Sequence, residues 1–168
     1  TAQSKNSLTK ELKTIDYNIS QLNLSIRANK LTLEKLELEI NSLGTNILSI
    51  EENVDAKKST IGKLFVELQQ KDRENLLILF LRNKSLAEGV AEAQSIFSIN
   101  RDLELGVAEL RNLQVELSSR LAEEKGKKRE KQVETANLSN RQSIVLDQKG
   151  EKQRVLEQTK NQEKIYQQ

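Results

Sequence analysis

Apolar side chains recur along the first 68 residues at alternating steps of four and three positions. Of the 18 positions in this series, 16 are apolar. A mean spacing of 3.5 residues keeps such positions on one side of an α-helix and imposes a left-handed supercoil with a partner helix. The pattern therefore predicts a long coiled-coil arm over residues 1–72. The 18 positions, here called the first seam, are Leu8, Leu12, Ile15, Ile19, Leu22, Ile26, Asn29, Leu33, Leu36, Ile40, Leu43, Ile47, Ile50, Val54, Lys57, Ile61, Leu64 and Leu68.

Two members of the first seam are polar, Asn29 and Lys57. A polar residue at a seam position of a coiled coil usually fixes the register or the number of partner helices, at a cost in stability. We therefore interpret both residues as structural, and not as ligand-binding groups.

A second apolar row runs outside the first seam. We call it the outer stripe: Tyr17, Leu24, Leu31 and Leu38, which recur every seven residues, two positions after a seam residue. A simple two-helix coil would leave this row in water. Three interpretations remain open: it packs under a third helix, it contacts another chain or domain, or it is simply exposed.

The middle of the chain, residues 73–100, predicts a short helical tip. Residues 76–81 are apolar without interruption, and the polar run at 83–85 then breaks the pattern. Ser85 followed by Glu88 matches a capping box, which marks a helix start. The predicted short helix carries Leu86, Val90, Ala93 and Phe97 on one face, and Ser98–Asn100 predicts a second break, with Asn100 capping a third helix.

The last part, residues 101–168, predicts a return arm of nearly the same length as the first, which favours an antiparallel hairpin. It opens with regularly spaced apolar residues: Leu103, Val107, Leu110, Leu113, Leu117 and Leu121. The highly charged stretch 122–132 is interpreted as a solvated helix. Beyond it, a thinner seam is predicted from an 11-residue recurrence of Val133, Ile144, Val155 and Tyr166, with Leu138, Val145 and Leu156 beside them.

One register of the two arms places the polar seam residues opposite polar partners. It pairs Asn29 with Gln142 and Lys57 with Gln114. The same register brings Leu43 near Lys128, so it cannot hold along the whole hairpin. The predicted fold class is all-α: a long antiparallel coiled-coil hairpin with a short helical tip.

Composition removes most catalytic chemistry. Among 168 residues there is no His, Cys, Met, Pro or Trp. His-dependent and Cys-dependent nucleophilic catalysis is therefore excluded for this chain, and so are the usual zinc ligand sets. With 27 basic and 25 acidic residues, the net charge of +2 does not favour a nucleic-acid partner. We expect no cofactor, no metal and no enzymatic activity in this chain.

Two segments carry a resemblance to a known family. The string LEQTKNQEKIYQQ, with Leu156, Thr159, Lys160, Glu163, Tyr166 and Gln167, resembles a segment common in cell-wall (murein) hydrolases and their activators. These proteins carry an N-terminal coiled coil ahead of a LytM-type zinc endopeptidase domain. Residues 81–113, LRNKSLAEGVAEAQSIFSINRDLELGVAELRNL, are similar to that family's hairpin tip.

The resemblance implies a non-catalytic regulatory fragment outside the cytoplasm, in the periplasm or at the cell surface. Its implied partner is the extracytoplasmic domain of an ABC-transporter-like division complex, with the protein's own hydrolase domain, an amidase or a second copy as further candidates. Two other functions stay open: an architectural coiled-coil rod, and a periplasmic adaptor hairpin. The predicted partner site is the tip, with seven residues: Leu76, Leu77, Leu79, Phe80, Leu86, Val90 and Phe97. The alternative is that all of these side chains are buried within the chain to close the tip.

Overall fold

The computed structural model describes residues 2–72 and 85–166, and it describes side-chain surroundings for residues 6–71 and 85–161. Two long helices account for this part of the chain apart from Ser85: α1, Ala2–Asp72, and α2, Leu86–Tyr166. They pack against each other, and the described residues contain no strand. The predicted all-α helical hairpin is therefore confirmed. Residues 73–84, which include the apolar run at 76–81, lie outside the described residues.

The first seam is confirmed along its whole length. All 18 of its positions are buried or half-buried, and Leu36 is the most enclosed of its apolar members at 3% exposure. Each helix can bury only one narrow stripe in a two-helix coil, so strict 3.5-residue spacing is what keeps the stripe against the partner. Most of the helical stability of α1 therefore comes from this seam, since propensity alone rarely sustains a long helix in water.

The start of α2 follows the predicted capping signal. The backbone N–H of Glu88 donates to the Ser85 hydroxyl oxygen at 3.3 Å, and the N–H of Gly89 donates to the Ser85 carbonyl at 3.4 Å. The first contact satisfies an N–H group that a helix start otherwise leaves without a partner, and the second is the first backbone hydrogen bond of α2.

The predicted break at Ser98–Asn100 is wrong, because α2 runs without interruption from Leu86 to Tyr166. Ser and Asn favour caps and turns only weakly when tertiary packing opposes them. Here Ile99 is 5% exposed, so burial of its side chain favours the helical path through this segment. Asn100 is consequently a residue within α2 and not the cap of a third helix.

The side of α2 that packs in the hairpin also follows alternating steps of four and three. Its members, here called the second seam, are all buried or half-buried: Ile99, Leu103, Gly106, Leu110, Leu113, Leu117, Arg120, Glu124, Lys127, Lys131, Glu134, Leu138, Arg141, Val145, Gln148, Lys152, Val155 and Thr159. The predicted 11-residue seam is wrong at two positions, since Val133 is 59% exposed and Ile144 is 39% exposed. Val155 does lie in the second seam, as do Leu138 and Val145, which were predicted beside it. The Tyr166 side chain lies outside the described side chains. Charged and polar side chains hold half of the true seam, so hydrophobicity does not reveal it.

The chain divides into two compact units, and the first consists of residues 1–41 and 125–168. Ion pairs and hydrogen bonds link its two helical segments. Lys152 pairs with Asp16, Lys131 with Glu37, and Lys127 with Glu39, and the Arg141 guanidinium donates to the Ser25 carbonyl at 3.4 Å. These cross-helix contacts fix an antiparallel register within this unit.

The second unit comprises residues 42–124. Lys57 forms an ion pair with Glu109, and the Lys71 ammonium donates to the Ser95 hydroxyl at 2.6 Å. A methyl group added at Gly106 would lie 3.2 Å from Cγ1 of Ile61, so the Ile61 side chain packs directly onto the backbone of α2. The absence of a side chain at Gly106 permits this close approach.

The register predicted from the polar seam residues is wrong. Asn29 pairs with Glu134 instead of Gln142, and Lys57 pairs with Glu109 instead of Gln114. The true partners lie about one to two helical turns nearer the tip. Burial of an apolar side chain such as Leu103 contributes more than a single partly exposed polar contact, so matching polar residues alone does not identify the register.

Candidate docking surfaces

The predicted tip site falls into two groups of residues. Leu76, Leu77, Leu79 and Phe80 lie outside the described residues. The other three, Leu86, Val90 and Phe97, lie in the first turns of α2.

These three side chains point away from the seam. Leu86 is 79% exposed, Phe97 is 72% exposed and Val90 is 44% exposed. With half-buried Ala93 they follow steps of four, three and four, which places them along one side of the helix. We call this row the tip face: Leu86, Val90, Ala93 and Phe97.

The tip face exists because α2 carries two apolar rows at its start. The inner row, with Gly89 and Ile99 buried, faces the hairpin interior. The tip face lies beside it and faces solvent. An exposed row with anchors at i, i+4, i+7 and i+11 suits recognition by a groove in another protein.

The outer stripe is also exposed. Tyr17 is 65%, Leu24 54%, Leu31 66% and Leu38 66% exposed. Packing under a third helix is therefore excluded within the described chain. Contact with another chain or domain, and simple exposure, remain as the two interpretations.

A polar centre lies within the first seam. Asn29 is only 3% exposed, and its amide nitrogen donates to the Glu134 carboxylate. Its amide oxygen is buried without a hydrogen-bond partner. The interpretation of Asn29 as a register-fixing residue stays a prediction, but its pairing across the hairpin is the arrangement that this role requires.

The charged stretch 122–132 is not simply a solvated helix, which corrects the prediction. Lys127 and Lys131 occupy positions of the second seam and are half-buried. Their aliphatic stems can cover the first seam while the ammonium groups reach acidic residues on α1. The Lys127 ammonium lies 2.8 Å from the Glu39 carboxylate. Continuing the four-and-three steps beyond Leu117 would have identified these positions.

The same ion pair shifts both partners' titration. The Lys127 side chain, by hydrogen bonding and charge, lowers the pKa of Glu39, and Glu39 raises the pKa of Lys127. Both shifts favour the charged forms. The pair therefore stabilises the packing of α1 against α2 at neutral pH. Its geometry gives no reason to assign it a catalytic role.

Other kinds of site find no support in the described residues. They hold no group of three or more His, Cys, Asp or Glu side chains that could bind a metal ion. Within the described part of α1 and α2, no segment is long and apolar enough to cross a membrane. Other large apolar side chains are exposed too, such as Leu48 and Phe65, but the tip face and the outer stripe form regular rows along one side of a helix, and we take these two rows as the candidate docking surfaces.

Comparison with known proteins adds no relative: no family model, no curated protein and no solved structure matches this chain. Function must consequently be argued from the two surfaces and from the sequence resemblance described above.

Proposed function

We propose that this chain is a non-catalytic docking and regulatory domain of a peptidoglycan hydrolase or of a hydrolase activator. The observation that supports it most is the exposure of the tip face, where Leu86 and Phe97 present most of their apolar surface to solvent. This face lies inside residues 81–113, the segment that resembles the hairpin tip of cell-wall hydrolase activators.

The proposed partner is the extracytoplasmic domain of an ABC-transporter-like division complex, which places the chain outside the cytoplasm. Binding would seat one side of α2 in an apolar groove of that domain. The hydrolase under control is either a domain of the same protein or a separate amidase. In this arrangement the hairpin carries no catalytic group and transmits the docked state to the hydrolase.

The tip face has the chemistry that such docking requires. Burial of a large apolar side chain contributes about 1.5–3 kcal/mol when it passes fully from water into a packed site. Phe97 and Leu86 still expose most of their surface, so docking can bury most of each side chain and gain most of this free energy. Truncation of either residue should therefore weaken binding by about tenfold or more. Neither lies in the second seam, so the hairpin itself does not depend on them.

The test is a binding titration between the chain and the purified extracytoplasmic domain of the division transporter from the same organism. Phe97→Ser and Leu86→Ser should each weaken binding while helix content stays unchanged by circular dichroism. Val115→Ser is the matched control, because Val115 is 71% exposed on α2 and lies off the tip face.

Two results would contradict the proposal. One is normal binding by both tip-face variants, which would move the site elsewhere. The other is an equal loss in the Val115→Ser control, which would show that the titration detects general surface change. Loss confined to Phe97→Ser and Leu86→Ser supports the docking role.

A further inference from the structure

We propose that the outer stripe is a self-association surface, on which two copies of the chain pair in parallel and in register. This inference is independent of the proposed docking function, because the stripe and the tip face share no residue. The stripe lies wholly within residues 1–41, in the first compact unit.

The heptad frame of α1 explains why the stripe can act as one continuous surface. In that frame Ile15 and Leu22 are d positions, and the stripe residues that follow them by two are f positions, the outermost of the heptad. The stripe has the same seven-residue period as the seam. It therefore stays opposite α2 over four heptads and does not wind around the helix, and its four side chains are 54–66% exposed.

The residues that flank the stripe decide which orientation two copies can adopt. Side chains three and four positions after a stripe residue lie on its two sides. Arg27 and Glu34 flank one side, and Ala28 and Lys35 flank the other. All four are exposed in the single chain, with the Lys35 side chain at 77%.

Parallel pairing brings opposite charges together. A two-fold axis parallel to the helices places the side of the stripe that carries Glu34 against the side that carries Lys35 in the second copy. Glu34 of each copy therefore meets Lys35 of the other, which gives two such pairs per dimer. Arg27 meets the second copy's Ala28, which leaves room for its long side chain. Lys35 is available for this contact, because its own pair with Glu39 is a loose one at 3.7 Å.

Antiparallel pairing is disfavoured by the same residues. The register that superposes all four stripe residues then sets Leu24 against Leu31 of the copy. Each side of the stripe then meets the same side of the second copy. Arg27 therefore faces Arg27 of the second copy across the symmetry axis, and Glu34 no longer meets Lys35. Charge complementarity therefore selects the parallel second copy as occupant.

Charge reversal tests both the occupant and the orientation. Glu34→Lys or Lys35→Glu should weaken dimerisation in sedimentation equilibrium by about tenfold, since each change sets like charges together twice. The double variant Glu34→Lys/Lys35→Glu should recover it to within about threefold. Leu24→Glu/Leu31→Glu should give a monomer with unchanged helix content by circular dichroism.

Cross-linking gives a second readout, made simple by the absence of native cysteine. Under mild oxidation, Leu31→Cys alone should form a covalent dimer, because residue 31 faces its own copy. Asn23→Cys is the control, since residue 23 is exposed on another side of the helix. A wild-type chain that stays monomeric at high concentration would overturn the proposal. So would cross-linking only in a mixture of Leu24→Cys and Leu31→Cys chains, which indicates antiparallel pairing.

Discussion

Removing Glu134 should leave the Asn29 amide buried without any partner. Asn29 is 3% exposed, its amide oxygen already lacks a partner, and its nitrogen donates only to Glu134 among the contacts described. A buried donor that loses its acceptor costs about 1–3 kcal/mol. We therefore expect Glu134→Ala to lower the free energy of unfolding by that amount, and the melting temperature by about 2–4 °C for each kcal/mol.

Replacing both partners should act in the opposite direction. In Asn29→Leu/Glu134→Leu no polar group remains to be buried, and two apolar side chains enter the seam. Buried polar or ionic pairs exchanged for well-packed apolar residues are often neutral or stabilising by about 1–4 kcal/mol. We expect a gain of about 2 kcal/mol from this exchange.

Urea unfolding at neutral pH, followed by far-ultraviolet circular dichroism, measures both effects. Glu157→Ala is the control, because Glu157 is exposed in the same unit, and its effect should be within about 0.5 kcal/mol of zero. An unchanged stability of Glu134→Ala, together with a destabilised double-leucine variant, would refute the energetic reasoning.

Two further predictions concern the other cross-helix contacts. The folded chain lowers the pKa of Glu39 and raises that of Lys127, so the ion pair stabilises the fold only while both groups are charged. The difference in melting temperature between the wild-type chain and Lys127→Met should therefore become smaller below about pH 4.5 and above about pH 10.5. A difference that is the same at every pH would contradict this. Gly44→Ala, with open space around the added methyl, should stabilise by up to about 1 kcal/mol, whereas Gly106→Ala should be less stable than Gly44→Ala by about 1–3 kcal/mol because its methyl meets Ile61. Equal urea midpoints for the two alanine variants would show that the helices do not approach closely at Gly106.

The first seam could be predicted in full because nearly all of its residues are apolar and regularly spaced. Leu and Ile at 3.5-residue spacing all lie on one side of the helix, and that side must face the partner helix. The polar members Asn29 and Lys57 could be assigned to the same side because their apolar neighbours in the series fix the spacing. The second seam was hidden by its chemistry. Lys127 and Lys131 are half-buried and pair with acidic residues of α1, so a search for apolar residues does not find them.

Local signals predicted one helix start correctly, at Ser85, and another wrongly, at Asn100. The Ser85 cap is satisfied within its own turn, so sequence alone could identify it. The expected break at Ser98–Asn100 depended on propensity, which the burial of Ile99 overrides. Exposure of Phe97 could not be predicted either, because it depends on which of two adjacent apolar rows of α2 faces α1.

The pairing of α1 with α2 determines which side chains lie in the seam and which form the tip face and the outer stripe. An engineered disulfide between Ile61→Cys and Gly106→Cys tests this pairing within the second unit. Cγ1 of Ile61 lies 3.2 Å from the place of a Cβ at Gly106, and the Cβ of Ile61 is one bond away from that Cγ1. The two Cβ positions are therefore near the range of about 3.5–4.5 Å that a disulfide needs. The alternative register, with Lys57 opposite Gln114, would set residue 61 opposite residue 110.

Oxidation rates of two double-cysteine chains, Ile61→Cys/Gly106→Cys and Ile61→Cys/Leu110→Cys, therefore give the most direct measurement. The structure predicts rapid, intramolecular disulfide formation in the first chain and slow formation in the second, each followed by the mobility shift on non-reducing gels. Faster closure of the 61–110 pair would contradict the register of α1 against α2 in the second unit.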